Sequence, residues 1–329
     1  MDLVSIIIPA YNAENSIKDT LTSLLRQSYR NIEIIIVNDG STDKTERICK
    51  EIEKKDSRVR LISVDNDGVS NARNKGIYSC KGKYVAFVDA DDLVDKCFIE
   101  NLIANISEDI DLVAEGYKTI NTQGKYLFSQ KLKSRVYNNS EINIAIECLQ
   151  ECKAFNVLWN KLFRRNIIMN NSIKMDANIS MGEDLLFIID YLKCIDGKIA
   201  IIDKDDYNYR LSPSGLQASF KENANLRLSQ LEKIRNLYIQ KNLPLKGLYL
   251  EYLRTFYTSI LESKNKKNTI HTILNNNLFL ELQDQNMNLG LKFKVFFNVL
   301  KTKNSFLIIS FMKTIGLVKK FKKQSYMWK

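Results

Sequence analysis

The chain has 329 residues, 45% hydrophobic and 26% charged, an ordinary globular composition for one large or two modest domains with a real core. A net charge of +11 and an isoelectric point near 9.2 call for an anionic partner: nucleic acid, nucleotide phosphates or an acidic membrane surface. No apolar run approaches a membrane span, and the six scattered cysteines, with no CxxC pair, exclude a dense disulfide framework and read as reduced thiols of a cytosolic protein.

Leu3 to Ile8 reads as a first strand rather than a secretory signal, because no basic region precedes it and Pro9 ends the run early. Through Pro9-Ala10-Tyr11-Asn12 it turns into a helix from about Glu14 to Arg26, with Ile17, Leu21, Leu24 and Leu25 on one face. Ile32 to Val37 forms a second strand ending in Asn38-Asp39-Gly40-Ser41-Thr42-Asp43, whose Ser and Asp can cap a helix to about Lys54. Arg58 to Val64 is a third strand. Val69 to Gly76 opens a helix whose first turn carries Ser70, Asn71, Arg73 and Asn74. Next comes Lys83-Tyr84-Val85-Ala86-Phe87-Val88-Asp89-Ala90-Asp91-Asp92, a short apolar run that stops in three carboxylates.

Strands alternating with helices imply a parallel, doubly wound α/β sheet whose carboxyl edge collects Tyr11, Asp39, Arg73, Asp89 and Asp91. Clustered carboxylates at that edge repel one another unless a cation or a donor-rich ligand compensates them. The plainer reading makes these acids helix caps, but four separate loops converging on one edge weigh against it.

From Asp111 the pattern loosens. Leu112 to Gly116 and Tyr126 to Phe128 read as strands, Ser140 to Cys152 as a helix, and Met181-Gly182-Glu183-Asp184 as the opening of a helix to about Cys194. Ile199 to Ile202 and Tyr207 to Tyr209 are short strands, and a boundary near Ser212 to Ser219 leads to a helical region. After Asp284 there is no acidic residue. Ten lysines there interleave with Phe296, Phe297, Leu300, Phe306, Ile308, Phe311, Met312, Ile315 and Val318, the pattern of an amphipathic helix lying on an anionic membrane, or of a packed helix with a solvated basic face.

Ser5-Ile6-Ile7-Ile8-Pro9-Ala10-Tyr11-Asn12, Asn38-Asp39-Gly40-Ser41-Thr42-Asp43, Ser70-Asn71-Ala72-Arg73-Asn74 and Asp89-Ala90-Asp91-Asp92 resemble, in order and spacing, the motifs of the family 2 glycosyltransferases. The resemblance covers roughly residues 1 to 215 and includes Trp159-Asn160-Lys161-Leu162-Phe163, Gly182-Glu183-Asp184 and Tyr209-Arg210 on the acceptor side. It implies a GT-A fold, with a nucleotide-binding part over 1–116, an acceptor part over 117–215 and a helical basic extension over 216–329. It also implies inverting transfer from a UDP-sugar to a hydroxyl of a growing, lipid-linked surface glycan, at the cytoplasmic face of a membrane, with Mn2+ or Mg2+ as cofactor.

By the same resemblance Tyr11 stacks on the base, Pro9 and Ala10 shape the pocket with Asn12, Glu14, Asn71 and Ala90 beside them, and Asp39 accepts the uracil imide proton. Arg73 lies near the diphosphate, Asp91 binds the metal, and Asp89 contacts the ribose or a metal-bound water. Asp184 is the catalytic base, Glu183 contacts the acceptor or orients the loop, and Trp159, Asn160, Lys161 and Arg210 line the acceptor side or its loop. Some relatives carry a His after the Tyr-Arg pair. Here Leu211-Ser212-Pro213-Ser214 has none, and the one histidine is His271. Three other classes fit less well. A nucleotidyltransferase needs a Gly-rich phosphate loop after the first strand, a dinucleotide oxidoreductase needs GxGxxG, and a nucleic-acid binder needs a reading helix or a stacking surface among its lysines.

Overall fold

The alternating amino-terminal pattern becomes β1 (Val4–Ala10), α1 (Ile17–Leu25), β2 (Ile32–Asp39), α2 (Thr45–Glu53), β3 (Val59–Val64), α3 (Val69–Ser79) and β4 (Tyr84–Phe87). These belong to a computed structural model that describes residues 1–178, 182–211, 224–240, 243–283 and 291–314. Every residue of β1 and β4 is buried, as for strands covered on both faces. β2 pairs in parallel with β1, placing Ala10 opposite Asn38, and β4 pairs in parallel on the other side, placing Ile7 opposite Phe87. The chain therefore winds from β1 through β2 to β3 and then returns to the far side of β1. The carboxyl ends of β1 and β4 form the switch point where such sheets take ligands.

Beyond β4 the sheet is mixed. β10 (Lys161–Arg164) inserts antiparallel between β4 and β6 (Ile110–Glu115), followed by β11 (Lys198–Ile202) and β9 (Arg135–Tyr137), in the order β3-β2-β1-β4-β10-β6-β11-β9. A second sheet, β5-β12-β7-β8, is built from Leu93–Val94, Tyr207–Arg210, Tyr117–Ile120 and Tyr126–Gln130. α4 (Phe98–Ile103), α5 (Ile142–Glu151), α6 (Arg165–Asn170) and α7 (Glu183–Lys193) complete the elements of this first unit, Met1–Ser212.

Two helix starts fall later than the residue pattern places them. α1 begins at Ile17 because Ala13 and Glu14 give their backbone N–H groups to Thr45 Oγ1 and Asp43 Oδ2, at 2.7 and 3.0 Å. α7 begins at Glu183, and Met181 lies outside the described residues. The inner face of α7 packs through aromatic rings: Phe187 meets Phe87 and Phe163 at 5.8 and 5.7 Å, and Tyr191 meets Phe163 at 5.0 Å, all near edge-to-face. Each phenylalanine buried so completely contributes about 1.5–3 kcal/mol. Asp184 is three residues before Phe187 and seven before Tyr191, so the packing that docks α7 also turns Asp184 inward.

The second unit, Pro213–Lys329, contains the helices Ala224–Gln240, Lys246–Glu262, Lys266–Leu274, Asn277–Gln283 and Leu291–Lys301, with residues 305–314 also helical. Lys266 Nζ donates to the carbonyls of Ile260, Leu261 and Ser263, each at 3.0 Å, and so closes the end of the second of these helices. His271 is exposed beside Asn275. The apolar stripe that could lie in a membrane interface or pack is divided in its described part: Phe306 is 79% exposed, whereas other members are packed. Phe296, Leu300 and Ile308 are wholly buried, and Phe296 meets Tyr257 at 5.3 Å. Ile315, Val318, the later lysines and the boundary expected near 212–219 lie outside the described residues.

Candidate active site

The loops after β1 and β2 are knitted together. Asn12, whose φ is +48°, accepts from Thr42 N at 2.9 Å and gives its own N–H to Ser41 Oγ, while Glu14 Oε2 accepts from Lys44 N at 3.1 Å. Asn12 and Glu14 thus brace the rim. Pro9 and Ala10 are buried at the end of β1, and Tyr11 stands above them with 53% of its surface exposed, its ring open to a flat partner.

Asp39, at the end of β2, is buried. Its Oδ1 accepts from Asp67 N at 2.9 Å and its Oδ2 from Gly68 N at 3.0 Å, so it shapes the loop before α3. Asn71 is turned back onto the same loop through Asp67 Oδ2 at 2.7 Å. Two open furrows of about 900 and 600 Å³ flank Asn71, Asn74 and Tyr78 on α3, and neither is lined by Asp89, Asp91 or Asp184.

Arg73 is not on a solvated helix face: its side chain is 7% exposed and bridges two acids. Nη2 donates to Asp89 Oδ1 at 2.9 Å, Nη1 donates to Asp184 Oδ1 at 2.8 Å, and Glu183 Oε1 lies 3.8 Å away. Burial works against the guanidinium charge, but Asp184 and Asp89 more than offset it and hold Arg73 protonated. Its Nε has no partner among the described residues. Asp184, across 111 positions of sequence, is pushed up to about 7 by burial, with Arg73 opposing and Glu183 and Asp89 reinforcing the rise. Gly182, with φ at +92°, is the left-handed residue that starts α7, a conformation costly to any side chain with a Cβ.

The other acids of the β4 loop divide their work. Asp91 is exposed at the rim, and loss of hydration among its neighbours, then the charge of Asp89, push its carboxyl up. Asp92 is wholly buried, accepting from Tyr207 Oη at 2.7 Å and from Arg210 N at 2.7 Å. Tyr207 Oη in turn accepts from Asp89 N at 3.2 Å, so β12 is tied to both ends of the acidic loop. Ala90 is anchored from the opposite side by Thr20 Oγ1, which donates to its carbonyl at 3.0 Å. Arg210 brings a guanidinium near this loop, with Nη2 3.8 Å from Asp19 and Nε without a partner among the described residues.

Three residues expected on the acceptor side are internal. Trp159 is 6% exposed, stacked on Tyr207 and Tyr209 with centroids 4.3 and 5.9 Å apart and edge-on to Tyr117, so it has no free face for a sugar ring. Asn160 is wholly buried and donates to Glu115 O at 2.5 Å. Lys161 is also wholly buried rather than a surface charge. Its Nζ reaches the carbonyls of Ala154, Phe155 and Val157 and the Oδ1 of Asn160, four acceptors at 2.5–3.2 Å. Burial pulls this amine down to about 7, yet a cage of acceptors alone suits the ammonium form. Tyr207 and Glu115 are the residues that motif reading misses. Glu115 is buried, held well above the usual carboxyl range by burial and then by Asp206, and accepts from Tyr207 N at 3.0 Å. The aromatic alternation of Tyr207 and Tyr209 is the one signal that could have found this hub.

The sheet order and two-sheet build are those of a GT-A glycosyltransferase fold, and the chain resembles S. aureus TarS 1-349 in complex with UDP-GlcNAc. The TM-score is 0.56 at 16% identity, over 96% of this chain and 92% of that one. The family model Glycosyl transferase family 2 matches residues 5–169. Glycosyltransferase GlyA of Streptococcus pneumoniae serotype 4 is 33% identical over 228 residues, 67% of this chain and 32% of that protein. The uncharacterized glycosyltransferase EpsJ of Bacillus subtilis is 34% identical over 216 residues, 65% of this chain and 62% of that protein, so the match spans less than two thirds of either relative. The putative glycosyltransferase EpsH of the same organism is 30% identical over 256 residues, 77% of this chain and 73% of that protein. The chain belongs to glycosyltransferase family 2.

Proposed function

We propose that the protein transfers a hexosyl or N-acetylhexosaminyl group from a UDP-sugar to a hydroxyl of a growing, lipid-linked surface glycan by direct displacement, giving a β-linkage from an α donor. The observation that carries this reading is the Asp89–Arg73–Asp184 constellation at the switch point, with contacts of 2.9 and 2.8 Å. The UDP-GlcNAc bound by the TarS neighbour supports the choice of donor. In this reading Tyr11 stacks on uracil and Asp39 accepts its imide proton. Arg210, whose Nε has no partner among the described residues, and Arg73 set positive charge beside the diphosphate. Asp184 takes the proton of the attacking hydroxyl. As it does so it loses its charge toward Arg73, which keeps Asp89 and, at 3.8 Å, Glu183, so the guanidinium gains net positive character as negative charge builds on the leaving group.

The donor set also suits Mg2+ or Mn2+. No cluster of three or more ligand-type acids, histidines or cysteines occurs among the described residues, but Asp91, with Asp89 beside it, offers the one or two carboxylates such ions take when phosphate oxygens and water complete the shell. A divalent ion there would offset the Asp91–Asp89 repulsion and neutralise charge on the departing UDP. The test is UDP release from a panel of UDP-sugars, with and without metal and lipid-linked acceptor. Metal-dependent release that Asp91→Ala abolishes is expected. Undiminished turnover in excess EDTA rules out the metal role, and no release from any UDP-sugar rules out the donor.

A further inference from the structure

β8 is the outer strand of the four-stranded sheet, and Tyr126, Leu127 and Phe128 are 56%, 45% and 45% exposed. Successive strand residues point to opposite faces, so three consecutive exposed apolar side chains mean that neither face of this ribbon is covered. β9, the outer strand of the other sheet, follows within a few residues and adds Val136 at 50% exposure. An exposed apolar edge is a liability that folded proteins ordinarily blunt, and a contiguous patch of this kind marks a contact surface.

Charge identifies the contact. Between Gly116 and Ser140 there are five basic residues and no acidic one. Lys118 and Arg135 are held by Asp95 and Glu141, but Lys125, Lys131 and Lys133 are exposed around the apolar edge. A second copy pairing along β8 would set these lysines against their own kind, which disfavours self-association. An anionic lipid surface satisfies both features: aromatic and aliphatic tips enter the headgroup boundary while lysines reach the phosphates, each contributing about 1 kcal/mol. We infer that the β8–β9 edge of the catalytic unit is a membrane-docking element, distinct from the carboxyl-terminal stripe, of which Phe296, Leu300 and Ile308 are engaged in packing.

The placement has a geometric consequence. β8 pairs with β7, and β7 with β12, whose Arg210 backbone holds Asp92 of the acidic loop. Two strand spacings, roughly 10 Å, separate the docking edge from the strand that braces the site. A hairpin seated in the headgroups would therefore hold that strand close above the membrane, where a lipid-linked sugar is presented.

The inference does not rest on the donor chemistry and is tested without nucleotide. Full-length protein carrying Leu127→Trp, or Tyr78→Trp on exposed α3 as a control, is mixed with vesicles of phosphatidylcholine alone or mixed with phosphatidylglycerol, with and without brominated lipid. Emission of the Leu127→Trp protein is expected to shift to the blue and to be quenched by brominated lipid only in anionic vesicles, while the control stays unchanged. Replacing Tyr126, Leu127 and Phe128 together by serine is expected to weaken sedimentation with anionic vesicles about tenfold or more. An unmoved Leu127→Trp signal, whether or not the protein sediments, overturns the inference. So does a shift that follows protein concentration without lipid, since the edge is then a site of self-association.

Discussion

Asp184 can accept a proton from a hydroxyl only when it is ionised, and its environment holds it at about 7, so the fraction ready to react rises steeply across neutrality. The acidic limb of kcat/KM is expected near that value. Because the like charge of Glu183 contributes to the rise, Glu183→Gln is expected to move the limb toward lower pH, and an unmoved limb would show that the limb reports another group. Asp184→Asn keeps an oxygen facing Arg73 but no base. UDP affinity measured by calorimetry is expected to stay within a few-fold while transfer falls by roughly 10²–10⁴. Loss of UDP binding along with activity would assign Asp184 to the donor pocket. Motif order in the sequence pointed to Arg73, Asp89 and Asp184 separately but not to their contact. An ion pair spanning 111 positions leaves no local period to read, and the burial of Arg73 follows only from having two carboxylates to satisfy it.

At the scale of elements, Gly182 and Tyr207 set how α7 and β12 present their residues. Among the described residues, chain neighbours apart, no atom lies within 4 Å of the position a Cβ would take at Gly182, so Gly182→Ala is expected to cost mainly the strain of its φ of +92°, about 1–2 kcal/mol. A drop in Tm of a few degrees with a larger loss of kcat is expected, because relaxing that strain re-aims Glu183 and Asp184. Tyr207→Phe removes the hydroxyl between Asp89 N and Asp92 Oδ2 and should cost about 1–3 kcal/mol, read as a lower urea midpoint at unchanged slope. The first four strands were legible because apolar runs and helical periods alternate cleanly there. β10 was not, since its four residues carry a buried lysine whose partners are carbonyls of the preceding loop. Nor does an amphipathic period say whether its partner is a lipid or another helix, which is why Phe296 and Leu300 could be read either way.

Across the whole molecule, buried acids give stability an unusual pH slope. Asp92, Glu115 and Asp184 all have folded-state values raised above those of an unfolded chain. The folded state therefore binds more protons, and the stability these groups confer is present at low pH and lost as pH rises through their folded values. Carboxyls held low, such as Asp56 beside Arg58, act in the opposite sense but only below about pH 4. Melting temperature is therefore expected to fall between about pH 5 and pH 7, and a rise over that interval would show that these acids are ionised at no cost. The reach of the Arg73–Asp184 contact also bears on how the chain comes off the ribosome. β1 to β4 emerge first and can close around their own core, leaving Arg73 with Asp89 alone; the second anchor arrives only with α7, after β10 has been threaded between β4 and β6. A nascent chain halted after the region of the family match, residues 5–169, would lack Asp184, so the Arg73 bridge stays half-made until α7 follows.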